Sequence, residues 1–436
     1  MRKTIFGCLG AAAVSLALQF TTANVHASLF STCNPCDEVG VCDPCGPCGD
    51  NDSCNPCDAA CGTKAGKWFL NGHMESGFFA NGHGNTATYT GGEKFIAGRP
   101  YDTISGNTGL LQNTRLTGAQ INQTYLSMGK KVDGRHGLDI GGTVDFTWGS
   151  DAYIVQSKGL EYAAGHGLGD QGRWGTGDYY AAFAQAYTEI AYGRWDVIVG
   201  KFAAPFGSSS YKSTDNFFYS WATTNIIAPH TAAGAYTTYK VSDRLSVIGG
   251  WAMPEEFGES SKHNDVLGGI VWTPSNRLSA RYVFAAGENK YVAGSPEEFV
   301  HTLLTTYHIS KKLRYVFDWT YINVKAAGDN KSAYGLNNEV IYQLNKKWSF
   351  GTRFGMLHAG EYVGTYVIDS SATNAAALVN GMELYTIGVG ANWTPTKWLI
   401  VKPEVRYDWT KDHKTAFNSG ANSYQTSGGV SAVVKF

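Results

Sequence analysis

From about Gly66 to the last residue, the chain is a series of segments of roughly ten residues that alternate apolar and polar side chains, parted by turn residues. That pattern restricts the fold more than any other feature. Leu138, Ile140, Gly142, Val144, Phe146 and Trp148 alternate with Asp139, Gly141, Thr143, Asp145 and Thr147. Leu313, Tyr315, Phe317, Trp319 and Tyr321 alternate with Arg314, Val316, Asp318, Thr320 and Ile322. Leu399, Val401, Val405, Tyr407 and Trp409 share one face, and Lys402, Glu404, Arg406 and Asp408 the other. A period of two is that of a β-strand with two unlike faces. A soluble sandwich alternates too. Here the apolar face carries no charge along its length and is heavy in aromatics. Trp251, Trp272, Trp393 and Trp409 lie near segment ends, as in the aromatic girdles of a membrane barrel.

Composition supports the membrane reading. Aromatics make up 13% and charged residues only 16%, against roughly 25% in an average soluble protein. After residue 27 no stretch approaches the ~20 apolar residues of a spanning helix. A chain without spanning helices enters lipid only by closing a sheet, because every backbone polar group needs a partner there. The net charge of −1 gives no basic surface for nucleic acid.

Links between the segments give an independent signal. Short polar links fall at Val132–His136, Gly193–Arg194, Ser242–Arg244, Thr273–Asn276, Ser310–Lys312, Asn345–Lys347 and Thr394–Lys397. Longer links rich in Gly, Ser and Asn alternate with them, near 81–115, 149–178, 205–229, 254–264, 287–297, 326–332, 359–380 and 410–424. Outer-membrane barrels have short periplasmic turns and long outer loops. The expected fold is an all-β transmembrane antiparallel β-barrel of about 16 strands, spanning 66–436. The segments near 66–80 and 183–192 are weakly patterned, so fourteen or eighteen strands stay open. An even count puts both ends of the barrel on the periplasmic side. The final strand ends on Phe436, similar to the sorting signal of outer-membrane barrels.

The N-terminus reads as an export signal. Arg2 and Lys3 precede an apolar run, Thr4 to Phe20, and Val25-His26-Ala27 offers a cleavage site after Ala27. Residues 28–65 are Cys-rich and form a segment of their own. Eight cysteines follow residue 27, at Cys33, Cys36, Cys42, Cys45, Cys48, Cys54, Cys57 and Cys61, and none occurs after Gly62. Three readings compete. Disulfides suit an oxidising compartment and an even count, with bridges to another chain or to the cell wall as a variant. Four Cys-x-x-Cys pairs also suit a thiolate metal site. Cys45-Gly-Pro-Cys48 has the redox tetrapeptide, but no βαβ pattern surrounds it.

The quoted texture resembles a known family. Phe183-Ala-Gln-Ala-Tyr-Thr-Glu-Ile-Ala-Tyr192, Val197-Ile-Val-Gly-Lys-Phe202, Asn216-Phe-Phe-Tyr-Ser220, Tyr239-Lys-Val-Ser-Asp-Arg-Leu-Ser-Val247 with Gly249-Gly-Trp251, and Asn264-Asp-Val-Leu-Gly-Gly-Ile-Val-Trp-Thr273 look like the β-barrel porin-2 (OmpL-like) family. The resemblance spans roughly 116–436 and implies an outer-membrane channel. The Cys-rich segment lies outside it.

Charges on the polar faces belong in a water-filled lumen, because on the lipid face each costs about 2–4 kcal/mol near the midplane. The pore-lining candidates are Lys240, Arg281, Arg314, Arg353, Lys402 and Arg406 against Asp139, Asp145, Glu189, Asp318, Glu339, Glu404 and Asp408. The near balance of signs predicts weak ion selectivity. For any single charge, a salt bridge along the wall is the competing role. The link 205–229 carries Phe206, Tyr211, Phe217, Phe218, Tyr219 and Trp221, which open water would not favour. Folding inward as a constriction, contacting a neighbouring subunit, or packing under other loops would each cover them. By analogy with sixteen-stranded porins, a homotrimer is expected. No His-x-x-x-His or Gly-x-Ser-x-Gly motif supports catalysis, and no cofactor is expected. A barrel that mainly links the outer membrane to the wall, or to itself, through residues 28–62 is the alternative function.

Overall fold

The computed structural model describes residues 68–82, 118–161, 175–176, 179–254, 263–289, 297–326, 329–359, 382–411 and 422–436. The signal-peptide and Cys-rich readings lie outside these residues. The described strands belong to one compact unit, Lys64–Lys435. Its strands, in order, are β1 (Trp68–Asn81), β2 (Gly118–Lys130), β3 (Asp139–Gly149), β4 (Gly175–Thr176), β5 (Tyr179–Tyr192), β6 (Trp195–Ala203), β7 (Thr231–Ser242), β8 (Leu245–Pro254), β9 (His263–Ser275), β10 (Leu278–Asn289), β11 (Glu297–His308), β12 (Leu313–Ala326), β13 (Asp329–Gln343), β14 (Trp348–Ala359), β15 (Met382–Thr396), β16 (Leu399–Thr410) and β17 (Tyr424–Lys435).

Each long strand pairs antiparallel with its sequence neighbour, and β1 pairs with both β2 and β17. The sheet therefore closes. Sixteen strands complete the ring, and the two-residue β4 adds only a short pairing on β5. Closure leaves no open edge for lipid to meet. The first and fourth long strands, weakly patterned in sequence, are both present as β1 and β5. Both chain ends of the barrel lie at the short-turn end, since Trp68 pairs with Lys130 and His73 with Lys435.

The alternation becomes two faces. Ile140, Val266, Val389 and Val405 project outward and are more than half exposed, while Asp145, Asp318, Arg406 and Asp408 project inward and are buried. Exposed tryptophans gather at both ends of the wall. Trp68, Trp195, Trp272, Trp348 and Trp393 lie toward the short turns, and Trp148 and Trp251 toward the long links. Trp348 and Trp393 stack at 5.8 Å, and Tyr385 and Trp409 at 5.5 Å.

Five of the short turns share one device. A Ser, Asn or Asp oxygen at the head of the turn accepts the backbone N–H two residues on, replacing a ladder bond that the reversal removes. Ser242 takes Arg244 at 3.2 Å, Ser275 takes Arg277 at 3.3 Å, Ser310 takes Lys312 at 3.2 Å, and Asn345 takes Lys347 at 2.8 Å. Asp133 takes Arg135 at 3.1 Å and also binds its guanidinium, which holds the Asp133 carboxyl down to about 2. At the tight link between β5 and β6, Gly193 has φ 59°, a left-handed value that glycine adopts without steric cost.

One expected link differs. The stretch 326–332 is taken up into paired strand: Ala326 lies opposite Asp329 and Lys325 opposite Asn330, with only residues 327 and 328 between β12 and β13. The polar Gly-Asp-Asn-Lys texture there reads as loop, but ladder bonds continued from both strands outweigh that local preference.

Candidate functional site

The link between β6 and β7, residues 204–230, is folded inside the barrel. Of its aromatics, Phe206, Phe218, Tyr219 and Trp221 are buried, and Tyr211 and Phe217 are half-buried. Two short 3-10 turns, Ser213–Asp215 and Thr223–Ile226, shape it. The wall makes room by dispensing with side chains. A Cβ added at Gly77 would stand 2.4 Å from Tyr219 Oη, at Gly351 2.4 Å from Phe217, and at Gly355 2.3 Å from Thr223 Oγ1. Two strands, β1 and β14, thus hold glycine where the loop presses against the wall.

The inward charges bind this loop. Asp318 on β12 accepts from Ser208 N at 2.8 Å and from Thr224 Oγ1 at 2.7 Å. Glu404 on β16 accepts from Ser220 N at 2.7 Å and Ser220 Oγ at 2.5 Å. Arg353 on β14 donates to the carbonyls of Ser220 at 2.9 Å and Trp221 at 3.1 Å, and its guanidinium lies 4.2 Å from the Phe218 ring centroid. Arg406 donates to Trp221 O at 3.1 Å, and Lys402 to the carbonyls of Asn216 at 2.8 Å and of Ser213. Arg281 on β10 donates to Gly207 O at 3.2 Å. Across the barrel, Asp145 on β3 accepts from Tyr211 Oη at 3.3 Å and pairs with Lys212 at 3.2 Å. Charge-assisted bonds of this kind are roughly twice as strong as neutral ones.

The same charges also satisfy one another. Arg406 binds Asp408 at 2.7 Å, and Arg353 binds Glu339 at 2.8 Å. Asp408 accepts further bonds from Thr386 at 2.6 Å and Gln425 at 3.0 Å. A buried charge is tolerated only when so paired.

The thirteen predicted lining residues thus separate into two groups. Asp145, Arg281, Asp318, Glu339, Arg353, Lys402, Glu404, Arg406 and Asp408 form a belt against the inserted loop, with Arg314 beside Glu339. Asp139, Glu189 and Lys240 stand apart, toward the short turns. Asp139 is the first residue of β3 and pairs with Lys130 at 2.5 Å. Glu189 lies beside Asp196, and Lys240 is exposed two residues before the end of β7. Most of the belt is covered by the loop, so its charges bind protein carbonyls and hydroxyls as well as facing the lumen.

Several participants escaped sequence reasoning. Gln123 on β2 donates to Tyr211 O at 2.6 Å and accepts from Ser213 N at 3.1 Å, and Asn122 accepts from Tyr219 Oη at 2.9 Å. Neutral amides carry no charge signature on a polar face. A second inward segment also went unread within the link 149–178. Ala152, Tyr153, Ile154 and Val155 are buried against β5, where inward positions are Tyr180, Ala182 and Ala184. Its last described residue, Glu161, pairs with Lys201 of β6 at 2.9 Å. Lys201 had a legible signal. By alternation it shares a row with Val197 and the outward Val199, where an unpaired lysine is costly.

Among the described residues no group of three or more His, Cys, Asp or Glu is placed to hold a metal.

Comparison with known proteins places this architecture. The fold is similar to the anion-selective porin from Comamonas acidovorans, with a TM-score of 0.53 and 11% identity over 85% of this chain and 99% of that one. It is similar to the outer membrane channel DcaP of Acinetobacter baumannii, with a TM-score of 0.54 and 10% identity over 86% and 99%. It is also similar to OmpT of Vibrio cholerae in its trimer form, with a TM-score of 0.51 and 11% identity over 86% and 100%. At these identities the likeness is one of fold. No curated protein matches the sequence. The family described as "Putative beta-barrel porin-2, OmpL-like" matches residues 82–436. With a closed sixteen-strand barrel and that match over most of its length, the chain belongs to the β-barrel porin-2, OmpL-like, family.

Proposed function

We propose that this protein is an outer-membrane porin, a passive diffusion channel for small hydrophilic solutes and ions with weak selectivity. The observation that carries the reading is the inserted loop 204–230, bound to wall residues on β2, β3, β10 to β14 and β16. A segment tied to opposite walls of a barrel narrows it without depending on a mobile plug. Phe206, Tyr211, Phe217, Phe218, Tyr219 and Trp221 then serve to build a constriction.

Weak selectivity is supported by the belt's composition. Arg281, Arg353, Lys402 and Arg406 stand among Asp145, Asp318, Glu339, Glu404 and Asp408, and most are already bound to a partner of opposite sign or to a carbonyl. Fixed charges neutralised in this way leave little net field for a passing ion. One fold neighbour is anion-selective by name, but a likeness of 11% identity carries no lumen charge across. Outer-membrane placement follows from the family and from fold neighbours that are outer-membrane channels. One structure of OmpT of Vibrio cholerae is of its trimer form, and a homotrimer is proposed here by analogy. Export by a signal peptide cleaved after Ala27 belongs to the same reading. Porin barrels are generally channels without catalysis, and no enzymatic role is proposed.

Purified protein reconstituted in a planar bilayer tests this. Discrete, stable conductance steps with a small reversal potential in a salt gradient are expected. No steps from folded, β-rich protein would overturn the porin reading and favour a barrel whose Cys-rich segment links membrane and wall.

A further inference from the structure

The barrel wall has a seam between β5 and β6. Their ladder runs only from Tyr192 opposite Trp195 to Ala186 opposite Lys201. On β5, Tyr180 to Phe183 and Gln185 pair with β3, and Tyr179 and Tyr180 with the short β4, but none of them pairs with β6. Side chains take over where that ladder stops. Ala203 N donates to the Gln185 side chain at 3.1 Å, Phe183 N donates to Glu161 Oε1 at 2.9 Å, and the Gln156 amide donates to Ala181 O at 3.1 Å. Residues 156–161 therefore satisfy backbone groups of β5 that a longer β6 would have satisfied.

One ion pair fastens this segment. Lys201 Nζ donates to both Glu161 oxygens, at 2.9 and 3.1 Å, and to Val155 O at 2.8 Å. Glu161 also accepts from Ser157 N at 2.7 Å. Both side chains are fully buried. The ion pair is thus hydrogen-bonded on every side, the condition under which a buried charge pair persists. From the seam the segment runs back to the inserted loop. Ile154 and Tyr153 cluster with Trp221, and Val155 packs with Tyr125 and Tyr211.

We propose that Lys201 and Glu161 are positioning residues of the channel. Their ion pair bolts residues 150–161 into the β5–β6 seam, and the bolted segment buttresses the constriction loop from behind. The conducting path is then set by two inserts, the second held at Ser150 and Asp151 by backbone bonds to β2 and at Glu161 by this ion pair. The inference rests on the diffusion-channel reading only for its current readout, not for its protease readout.

The test uses full-length folded protein, with E161Q, K201M, the double variant and the charge swap K201E/E161K. Limited chymotrypsin cleavage at Tyr153 reports release of the segment, and planar-bilayer recordings report the path. Stranding one buried charge should raise cleavage on the order of a hundredfold. Open-state current noise and conductance should rise with it, while heat-modifiable mobility on gels still shows a folded barrel. The double variant, with no stranded charge, should lie between the single variants and wild type, and the swap should recover protection. If a single variant does not fold, the double variant carries the cleavage comparison. Cleavage and noise at wild-type levels in E161Q and in the double variant would overturn the proposal. Increased cleavage with unchanged current would overturn the buttressing role. A wild-type barrel without any conductance would instead refute the porin reading, and the cleavage arm would still decide the bolt.

Discussion

Replacing Asp318 by Ala should loosen the constriction loop without unfolding the barrel. Asp318 is fully buried and gives the loop two short bonds, from Ser208 N at 2.8 Å and Thr224 Oγ1 at 2.7 Å. Hydrogen bonds to a charged group contribute about 1.5–3 kcal/mol each, so the pair contributes about 3–6 kcal/mol to seating the loop. Lumen water entering the vacated space would rebind the freed N–H and O–H and recover over half of that. A net loss of about 2 kcal/mol remains, equivalent to a roughly thirtyfold rise in the unseated population. The wall itself loses little, because β12 keeps its ladders to β11 and β13. Single-channel recording should show a noisier open state and brief high-conductance excursions. Limited proteolysis should cut within 204–230 faster, and Asp318→Asn, which keeps an acceptor, should lie between. Unchanged noise and proteolysis in a folded Asp318→Ala barrel would refute the claim that inward charges hold the loop.

Three further outcomes follow from the same geometry. Gly355→Val puts a side chain where Thr223 Oγ1 now lies at 2.3 Å, so the loop should shift and conductance change, with thermal unfolding of the barrel little affected. Gly249→Val, where nothing lies within 4 Å, is the matched control. Arg353→Met with Arg406→Met removes two positive charges facing Glu339, Asp408 and Glu404, so the reversal potential in a salt gradient should move toward cation preference. At the short turn, Arg135 lowers the Asp133 carboxyl to about 2 from an ordinary 3.8. A lowered folded value means the interaction is fully present above about pH 4 and is lost as pH falls through about 2. A backbone-amide signal at Arg135 should therefore titrate near pH 2 rather than near pH 4.

Much of the wall was legible. Alternation along residues 138–148, 313–322 and 399–409 assigned inward and outward faces correctly, because in a closed single-layer barrel each side chain has only two destinations. Short polar turns were legible because a Ser, Asn or Asp at their head makes its bond locally. The link at 326–332 was not, because pairing between β12 and β13 is settled by the neighbouring ladder rather than by the composition of four residues.

The loop's destination was legible only in part. Its aromatics signalled that it is covered, but not by what. The belt shows the same division. The sequence alone determined that Lys402, Glu404, Arg406 and Asp408 share the inner face, since strand period depends only on position along the chain. It could not show that Arg353 and Arg406 meet the carbonyls of residues 220 and 221, from strands more than a hundred positions later. Nor could it pair Lys201 with Glu161 across a link. Those contacts exist because closure brings distant strands around one space, and a loop long enough to cross it finds charges that would otherwise need water. Local pattern decides which way a side chain points, and only the closed barrel decides what it meets there.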